Sequence, residues 1–328
     1  MHTNQIDRRL SIAPMMKHTD KHFRYFMRLL SARVVLYTEM ITTGALIHGD
    51  RKRFLDFNEI EHPLAIQLGG NNPNDLALCA QIAEDEGYDE INLNIGCPSH
   101  RVQNGQFGAC LMSNTELISD CINKIQSTVK IPVTIKTRIG IDDQDSYSFL
   151  ENFITSVSEA GCNTFIIHAR KAILSGLSPK KNREVPPLNY ERVYKIKRRF
   201  PSLNITINGG FIDMAQIKSQ LEYVDGVMVG RAAYQNPFML IKADKALYGD
   251  DSSSPTREEI LSSFKDYAVE QINHGFNIKS LTRHIIGLYQ GQHGARDYRR
   301  MLSEPISKDI NTIEFLDKII QSVPETCS

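Results

Sequence analysis

Residues 90–98 read EINLNIGCP. The first six are short, rich in Ile and Leu, and stopped by Gly96 and Pro98. A strand buried on both faces of a parallel sheet has this form. Seven further runs share it: 10–15 (LSIAPM), 35–40 (VLYTEM), 64–69 (LAIQLG), 133–139 (VTIKTRI), 164–169 (TFIIHA), 205–209 (ITING) and 226–231 (GVMVGR). Helical spacing fills most of the gaps, at 73–86 with Gly87 as a stop, 115–128, 146–160 before Gly161, 190–200 and 214–220. Eight strands alternating with helices predict an α/β protein, a (β/α)₈ or TIM barrel. A doubly wound sheet has about six strands and needs a G-x-G-x-x-G turn after a strand, which is missing here.

Beyond the eighth run the pattern changes. Residues 250–256 (DDSSSPT) are polar and read as a linker, and Thr256 with Glu259 resembles a capping box. The remainder has helical spacing only, as in Ile313, Phe315, Leu316, Ile319 and Ile320. The expected organisation is a catalytic barrel over 1–249 and a small, all-helical C-terminal domain over 250–328.

Composition fits a soluble globular chain of 328 residues, with 41% apolar and 23% charged residues. Lys+Arg and Asp+Glu balance at 38 each, so bulk charge does not select a partner. The distribution is uneven. Residues 54–90 hold nine acidic residues and no Lys or Arg. Residues 170–200 hold ten basic residues against Glu184 and Glu191, and 278–300 hold five against Asp297. A neutral protein can still carry a basic face, although such runs are also common on solvated helices. The six cysteines (79, 97, 110, 121, 162 and 327) contain no C-x-x-C pair, so no metal site is expected. No apolar core follows the charged N-terminus, and no apolar run approaches the ~20 residues of a membrane helix. A reduced, cytoplasmic protein with no membrane segment is expected.

Barrel active sites sit at the C-terminal ends of the strands. Here those ends are polar. Strand two ends near Glu39 and strand three carries Gln67. Strand four carries Asn92 and Asn94, strand five Lys136 and Arg138, strand six His168 and strand seven Asn208. Any one of these could be a satisfied core group. A ring of them suggests a large polar ligand across the mouth, because polar groups in apolar strands are costly without partners. Gly209-Gly210 after strand seven and Gly230-Arg231 after strand eight stand where barrels bind phosphate. Glycine lets a ligand approach backbone N–H groups, and Arg231 adds a positive fork. Lys136 would stabilise a flavin that becomes anionic on reduction. Pro14, Met15 and Met16 offer contact to a flat ring, or plain core packing. Cys97, held on a turn, could donate a proton to carbon, since a thiol of reference pKa near 8.5 stays protonated at neutral pH. The alternative is a buried structural thiol.

Taken in order, the blocks APM (13–15), YTEM (37–40), QLGG (67–70), EINLNIGCP, KTRIG (136–140), FIIHARKA (165–172), INGG (207–210) and VGRAAYQNP (229–237) resemble the tRNA-dihydrouridine synthases. The segments TTGALIHG (42–49), NGQFGACLM (104–112), GIDDQDSY (140–147) and LSGLSPKKNREVPP (174–187) are similar to the A-type branch of that family. The resemblance implies FMN as bound cofactor, NADPH as reductant, and hydride transfer from flavin N5 to C6 of uracil in tRNA. Cys97 matches the family's general acid, which protonates C5. Pro14, Met15, Met16, Gln67, Lys136, His168, Asn208, Gly209, Gly210, Gly230 and Arg231 match FMN-contacting positions, and Asn94 a position near the substrate base. The branch acts on U20 and U20a of the D-loop.

The residues themselves agree on two points. No separate dinucleotide motif exists, so nicotinamide and RNA should use one mouth in turn. A uridine in folded tRNA must also leave its stack to reach a buried flavin. Lys180, Lys181 and Arg183 in the loop after strand six, and Arg296, Arg299 and Arg300 on one face of a helix, are candidates for gripping RNA. Two rivals are an FMN barrel dehydrogenase for a small molecule of the dihydroorotate type and a non-catalytic RNA-binding flavoprotein.

Overall fold

The computed structural model describes residues 6–304 and 312–321. Ile313 and Ile320 of the expected helical spacing have no described side chain, and Cys327 lies outside the described residues. Eight strands form: β1 (Leu10–Ile12), β2 (Leu36–Thr42), β3 (Leu64–Gly69), β4 (Glu90–Asn94), β5 (Val133–Arg138), β6 (Thr164–His168), β7 (Asn204–Asn208) and β8 (Gly226–Val229). They pair in parallel in the order β1-β8-β7-β6-β5-β4-β3-β2. Ile12 N–H to the Val35 carbonyl (2.9 Å) and Val35 N–H to the Leu10 carbonyl (3.1 Å) join the first strand to the entry of the second. The ring is the expected (β/α)₈ barrel. All eight runs are strands. The first stops early, at Ile12, and Pro14 lacks the N–H that would extend it.

The helices between strands begin where side chains can cap them. Asn72, Asn114, Ser146, Asn189 and Asp213 accept N–H bonds at the starts of Pro73–Asp85, Thr115–Gln126, Tyr147–Glu159, Tyr190–Arg199 and Met214–Gln220. Gly87 (φ +100°) and Gly161 (φ +101°) take the left-handed conformation just past two of these helices, as the sequence predicts.

Two compact units exist among the described residues. One holds 6–17 and 34–230; the other holds 18–33 and everything from 231 onward. The expected division at 249/250 therefore falls inside the second unit. The helix Lys21–Leu30 lies between β1 and β2 in the chain but packs with the C-terminal helices. Its apolar and aromatic face explains this. Tyr25 stacks on Tyr267 at 3.7 Å, Phe26 meets the edge of Phe264, and Asp20 at its N-cap holds His284 at 2.9 Å and pairs with Arg283. The Thr256–Glu259 capping box is present and starts the helix Arg257–Asn273. No strand is found among the described residues of this unit, and no described helix is long and apolar enough to cross a membrane.

His22 in this unit gives a pH prediction. It is 5% exposed, and its ring Nδ1 lies 2.7 Å from the Tyr267 hydroxyl. Burial pushes it down to about 4, with Asp20 opposing and Lys21 adding to the effect. The fold thus favours neutral His22. That share of stability is present above the ordinary histidine value near 6.5 and is lost as pH falls from there towards 4, on the order of 3 kcal/mol at most. Replacing His22 by Phe costs stability at pH 7.5, and the gap to the parent narrows as pH drops through this window. Denaturant melts across pH check it, and a constant gap contradicts it.

Candidate active site at the strand ends

Side chains alternate along a strand, so residues 90, 92 and 94 of β4 share the barrel interior. Neighbouring strands supply partners in register: Gln67 opposite Asn92, Asn92 opposite Thr134, Asn94 opposite Lys136, Arg138 opposite His168, and His168 opposite Asn208. The buried core also holds an apolar cluster of Ala13, Val35, Tyr37, Ala65, Ile166 and Met228. The polar residues expected at the strand ends thus come together as a ring. Gln67 and Asn208 are buried, whereas Asn94, Lys136 and His168 are half-buried.

Each member has a defined direction. Gln67 donates to Asn92 and accepts from Asn94, both at 2.8 Å. Lys136 Nζ donates to Asn208 Oδ1 at 3.0 Å, and Asn208 Nδ2 donates to the Met228 carbonyl at 2.7 Å. Glu39 accepts the Lys17 backbone N–H, tying the exits of the first two strands together. His168 Nδ1 is buried and has no hydrogen-bond partner among the described residues.

The ring is cationic. Burial, then Arg138, pushes Lys136 down to about 7, while Cys97 pulls it upward. Burial first, then Arg138, Lys136, Arg170 and Arg183, hold His168 well below its ordinary range. A neutral imidazole facing Arg138, Arg170 and Arg183, with Lys136 beside it, suits an anionic or electron-accepting ligand.

Cys97 is half-buried on the turn that leaves β4. Asn94 Oδ1 accepts both the Gly96 N–H (3.1 Å) and the Cys97 N–H (2.9 Å). The Cys97 carbonyl accepts the Ala109 N–H at 3.0 Å. Gly108 permits this approach: it has φ +76°, and a Cβ there would lie 2.7 Å from the Cys97 carbonyl oxygen. Cys97 is therefore pinned from both sides. Cys79, Cys121 and Cys162 are buried, as expected for structural thiols, and burial pushes each up to about 12.

Gly209 (φ +126°) and Gly210 (φ +87°) turn the chain after β7, with the Tyr190 hydroxyl on the Gly209 carbonyl at 2.7 Å. Gly230 follows β8. A Cβ there would meet nothing nearer than Ala13 at 3.8 Å and Met15 sulfur at 3.9 Å. Packing within the protein does not demand glycine at that position, so the open side is free for a ligand. Pro14 and Met15 are half-buried and Met16 is 53% exposed. Arg231 is exposed and is the first residue of the second unit.

A sequence model of the family described as dihydrouridine synthase (Dus) matches residues 11–323. This chain belongs to the dihydrouridine synthase family. Among its relatives, a tRNA-dihydrouridine(20/20a) synthase of Shewanella oneidensis is 54% identical over 98% of this chain and 96% of its own length. The protein of that name from Vibrio cholerae is 52% identical over 96% and 97%, and the one from Escherichia coli K12 is 54% identical over 95% and 91%. Among solved structures, a 2-naphthoyl-CoA reductase complex has a TM-score of 0.55 at 8% identity, covering 72% of this chain and 50% of its own. Morphinone reductase has a TM-score of 0.52 at 10% identity, covering 77% and 88%. At such identity these two likenesses concern the fold alone.

Around the Cys97 turn of this dihydrouridine synthase family member, Arg138, which the strand-end ring already included, is joined by two residues that were not singled out, Gln103 and Asn182. Arg138, 5% exposed, donates to the carbonyls of Gly96 (2.9 Å), Lys171 (3.0 Å) and Asn182 (3.2 Å). Gln103 Nε2 joins the carbonyls of Pro98 (2.8 Å) and Leu174 (2.7 Å). Asn182, fully buried, ties Ile173 and Leu177 within the loop after β6. Together they stitch the Cys97 turn to the loop after β6. Arg138 was visible as a charge on an apolar strand; Gln103 and Asn182 carried no such signal.

The RNA candidates divide. Lys180, Lys181 and Arg183 are exposed on the loop after β6, and Arg183 is close enough to press on His168 and Arg138. Arg296, Arg299 and Arg300 share the outer face of the helix Ala295–Ser303, whose other face buries Ala295, Tyr298 and Leu302. Arg299 donates to Gln290 at 2.8 Å, and Arg300 stands between Asp297 (3.2 Å) and Glu304 (3.7 Å).

Proposed function

We propose that this chain is a flavoenzyme that reduces uridine to 5,6-dihydrouridine in tRNA, at U20 and U20a, with FMN bound and NADPH as reductant. The observation that carries this reading is the Cys97 turn meeting a cationic polar ring, in a chain whose relatives along nearly the whole length bear that activity in their names. The residues present fit a phosphorylated flavin. His168 has an orphaned buried nitrogen, Gly230 leaves open space, and the ring carries donors and positive charge. Gln67, Lys136, His168 and Asn208 would hold the flavin ring, with Pro14, Met15 and Met16 against it. Gly209, Gly210 and Gly230 would hold the phosphate. When bound, the FMN supplies a hydride to C6 of uracil. Cys97 would deliver the proton to C5, and Asn94, which holds its turn, would stand beside the base. Lys136 offers a positive charge beside an electron-accepting ligand. The absence of a dinucleotide motif supports ping-pong alternation of nicotinamide and RNA.

The test is dihydrouridine content at each D-loop position in cells with and without the gene. Loss at U20 and U20a is expected. Loss at another uridine overturns the branch assignment, and no loss, with flavin-loaded protein in hand, favours a small-molecule dehydrogenase.

RNA binding gives a second prediction. Each phosphate-contacting cation contributes close to one unit to the slope of log affinity against log salt. Replacing Lys180, Lys181 and Arg183 together by Ala should flatten that slope by about 2–3 units. Arg300→Ala should change it by less than about one unit, because Asp297 and Glu304 already compete for that guanidinium. tRNA titrations at several salt concentrations read both. An unchanged slope in the triple variant removes that loop from the interface.

A further inference from the structure

A hydrogen-bond chain runs through the barrel interior from a buried ion pair to the Cys97 turn. Arg8 Nε (2.8 Å) and Nη2 (2.5 Å) donate to Glu90 Oε2. Tyr37 and Thr134 each donate a hydroxyl to Glu90 Oε1 at 2.7 Å. Asn92 Nδ2 donates to Thr134 Oγ1, Gln67 Nε2 to Asn92 Oδ1, and Asn94 Nδ2 to Gln67 Oε1, each at 2.8 Å. Asn94 Oδ1 then takes the Gly96 and Cys97 N–H groups. Glu90, Thr134, Asn92 and Gln67 are between 0% and 1% exposed, so water does not offer alternatives.

We infer that Glu90 sets the direction of this chain, and that Thr134, Asn92 and Gln67 are positioning residues that act on Cys97 through Asn94. A carboxylate only accepts. Thr134 has one hydroxyl proton, and it is spent on Glu90, so its oxygen must accept from the amide of Asn92. Asn92 then presents its oxygen to Gln67, Gln67 its oxygen to Asn94, and Asn94 its oxygen to the turn. The far end agrees, because two backbone N–H groups demand an acceptor. Reversing any amide sets donor against donor or acceptor against acceptor at a buried contact. The end groups fix three amides whose two faces are nearly equal in size. The role of Cys97 as acid rests on the proposed function; the chain's hold on the Cys97 turn does not.

The test uses full-length protein and iodoacetamide, with Cys97 and Cys110 alkylation followed by peptide mass spectrometry. Both thiols are half-buried, so Cys110 serves as internal control. Thr134→Val cuts the chain while leaving Arg8 and Tyr37 on Glu90. Cys97 should then react about fivefold faster or more, with Cys110 within about twofold of the parent, because only the Asn94-held turn is loosened. Thr134→Ser should restore the parent rate. Asn92→Leu cuts the next link and decides the matter if the valine variant does not fold. The two cuts combined should add nothing to either alone, as expected of one chain. With tRNA, the same variants should lower the single-turnover rate and leave KM unchanged. Parent-like Cys97 alkylation in both variants, or an equal rise at Cys110, overturns the inference. If alkylation behaves as stated while Cys97→Ala remains active, the acid role fails and the positioning chain stands.

Discussion

Cys97→Ala is expected to lower the rate of uridine reduction by about 100- to 10,000-fold, the usual contribution of a positioned proton donor. FMN and tRNA should still bind, because Cys97 is held through its backbone and not its side chain: Asn94 takes its N–H and Ala109 its carbonyl. Truncating the side chain leaves those bonds and the Gly108 approach intact. The loss should therefore fall on the step in which reduced protein meets tRNA, with flavin reduction by the proposed reductant, NADPH, unchanged. Cys97→Ser keeps the size but offers a much weaker acid, and should remain slow. Single-turnover reduction of tRNA by pre-reduced protein, with dihydrouridine counted by mass spectrometry, separates the steps. A rate within about twofold of the parent would remove Cys97 from proton transfer.

The largest effect on stability is expected from Arg8→Met. Glu90 is fully buried in the barrel, and Arg8, whose side chain is 9% exposed, is its cationic partner. Removing one member of a buried pair leaves an uncompensated charge and costs about 3–5 kcal/mol. Tyr37 and Thr134 still donate to the carboxylate, which favours the lower half of that range. Adding Glu90→Gln should recover part of the loss, since a neutral amide is less costly to bury than an unpaired charge. Urea unfolding of the parent, single and double variants gives the comparison. A loss below about 1 kcal/mol for Arg8→Met would mean that the pair contributes little to the fold.

Much of the barrel was legible in the chain because its signals are local. A buried parallel strand needs only a short apolar run, and β3 and its seven companions each had one. Caps such as the Thr256–Glu259 box act within four residues. The polar ring was legible for a related reason. Asn94, Lys136, His168 and Asn208 violate the apolar pattern of their own strands, and parallel register lines up such violations at one end of the barrel. The helix Lys21–Leu30 was different. Its place in the chain puts it within the barrel, yet the aromatic partners Phe264 and Tyr267 that draw it into the second unit come more than 200 residues later.

The sequence by itself determined the strand count, the starts of five helices between strands three and eight, the family and the set of polar groups at the strand ends. Each depends on residue type and short spacing, which a linear chain displays directly. Only the tertiary structure decided who partners whom. Arg8 meets Glu90 across 82 positions, and Lys136 meets Asn208 across 72. The direction of the amides from Asn92 to Asn94, the hold of Arg138 on the Gly96 carbonyl, and the division at 230/231 were likewise settled there. A hydrogen bond has a donor, an acceptor and a short range, and only folding brings distant groups within it.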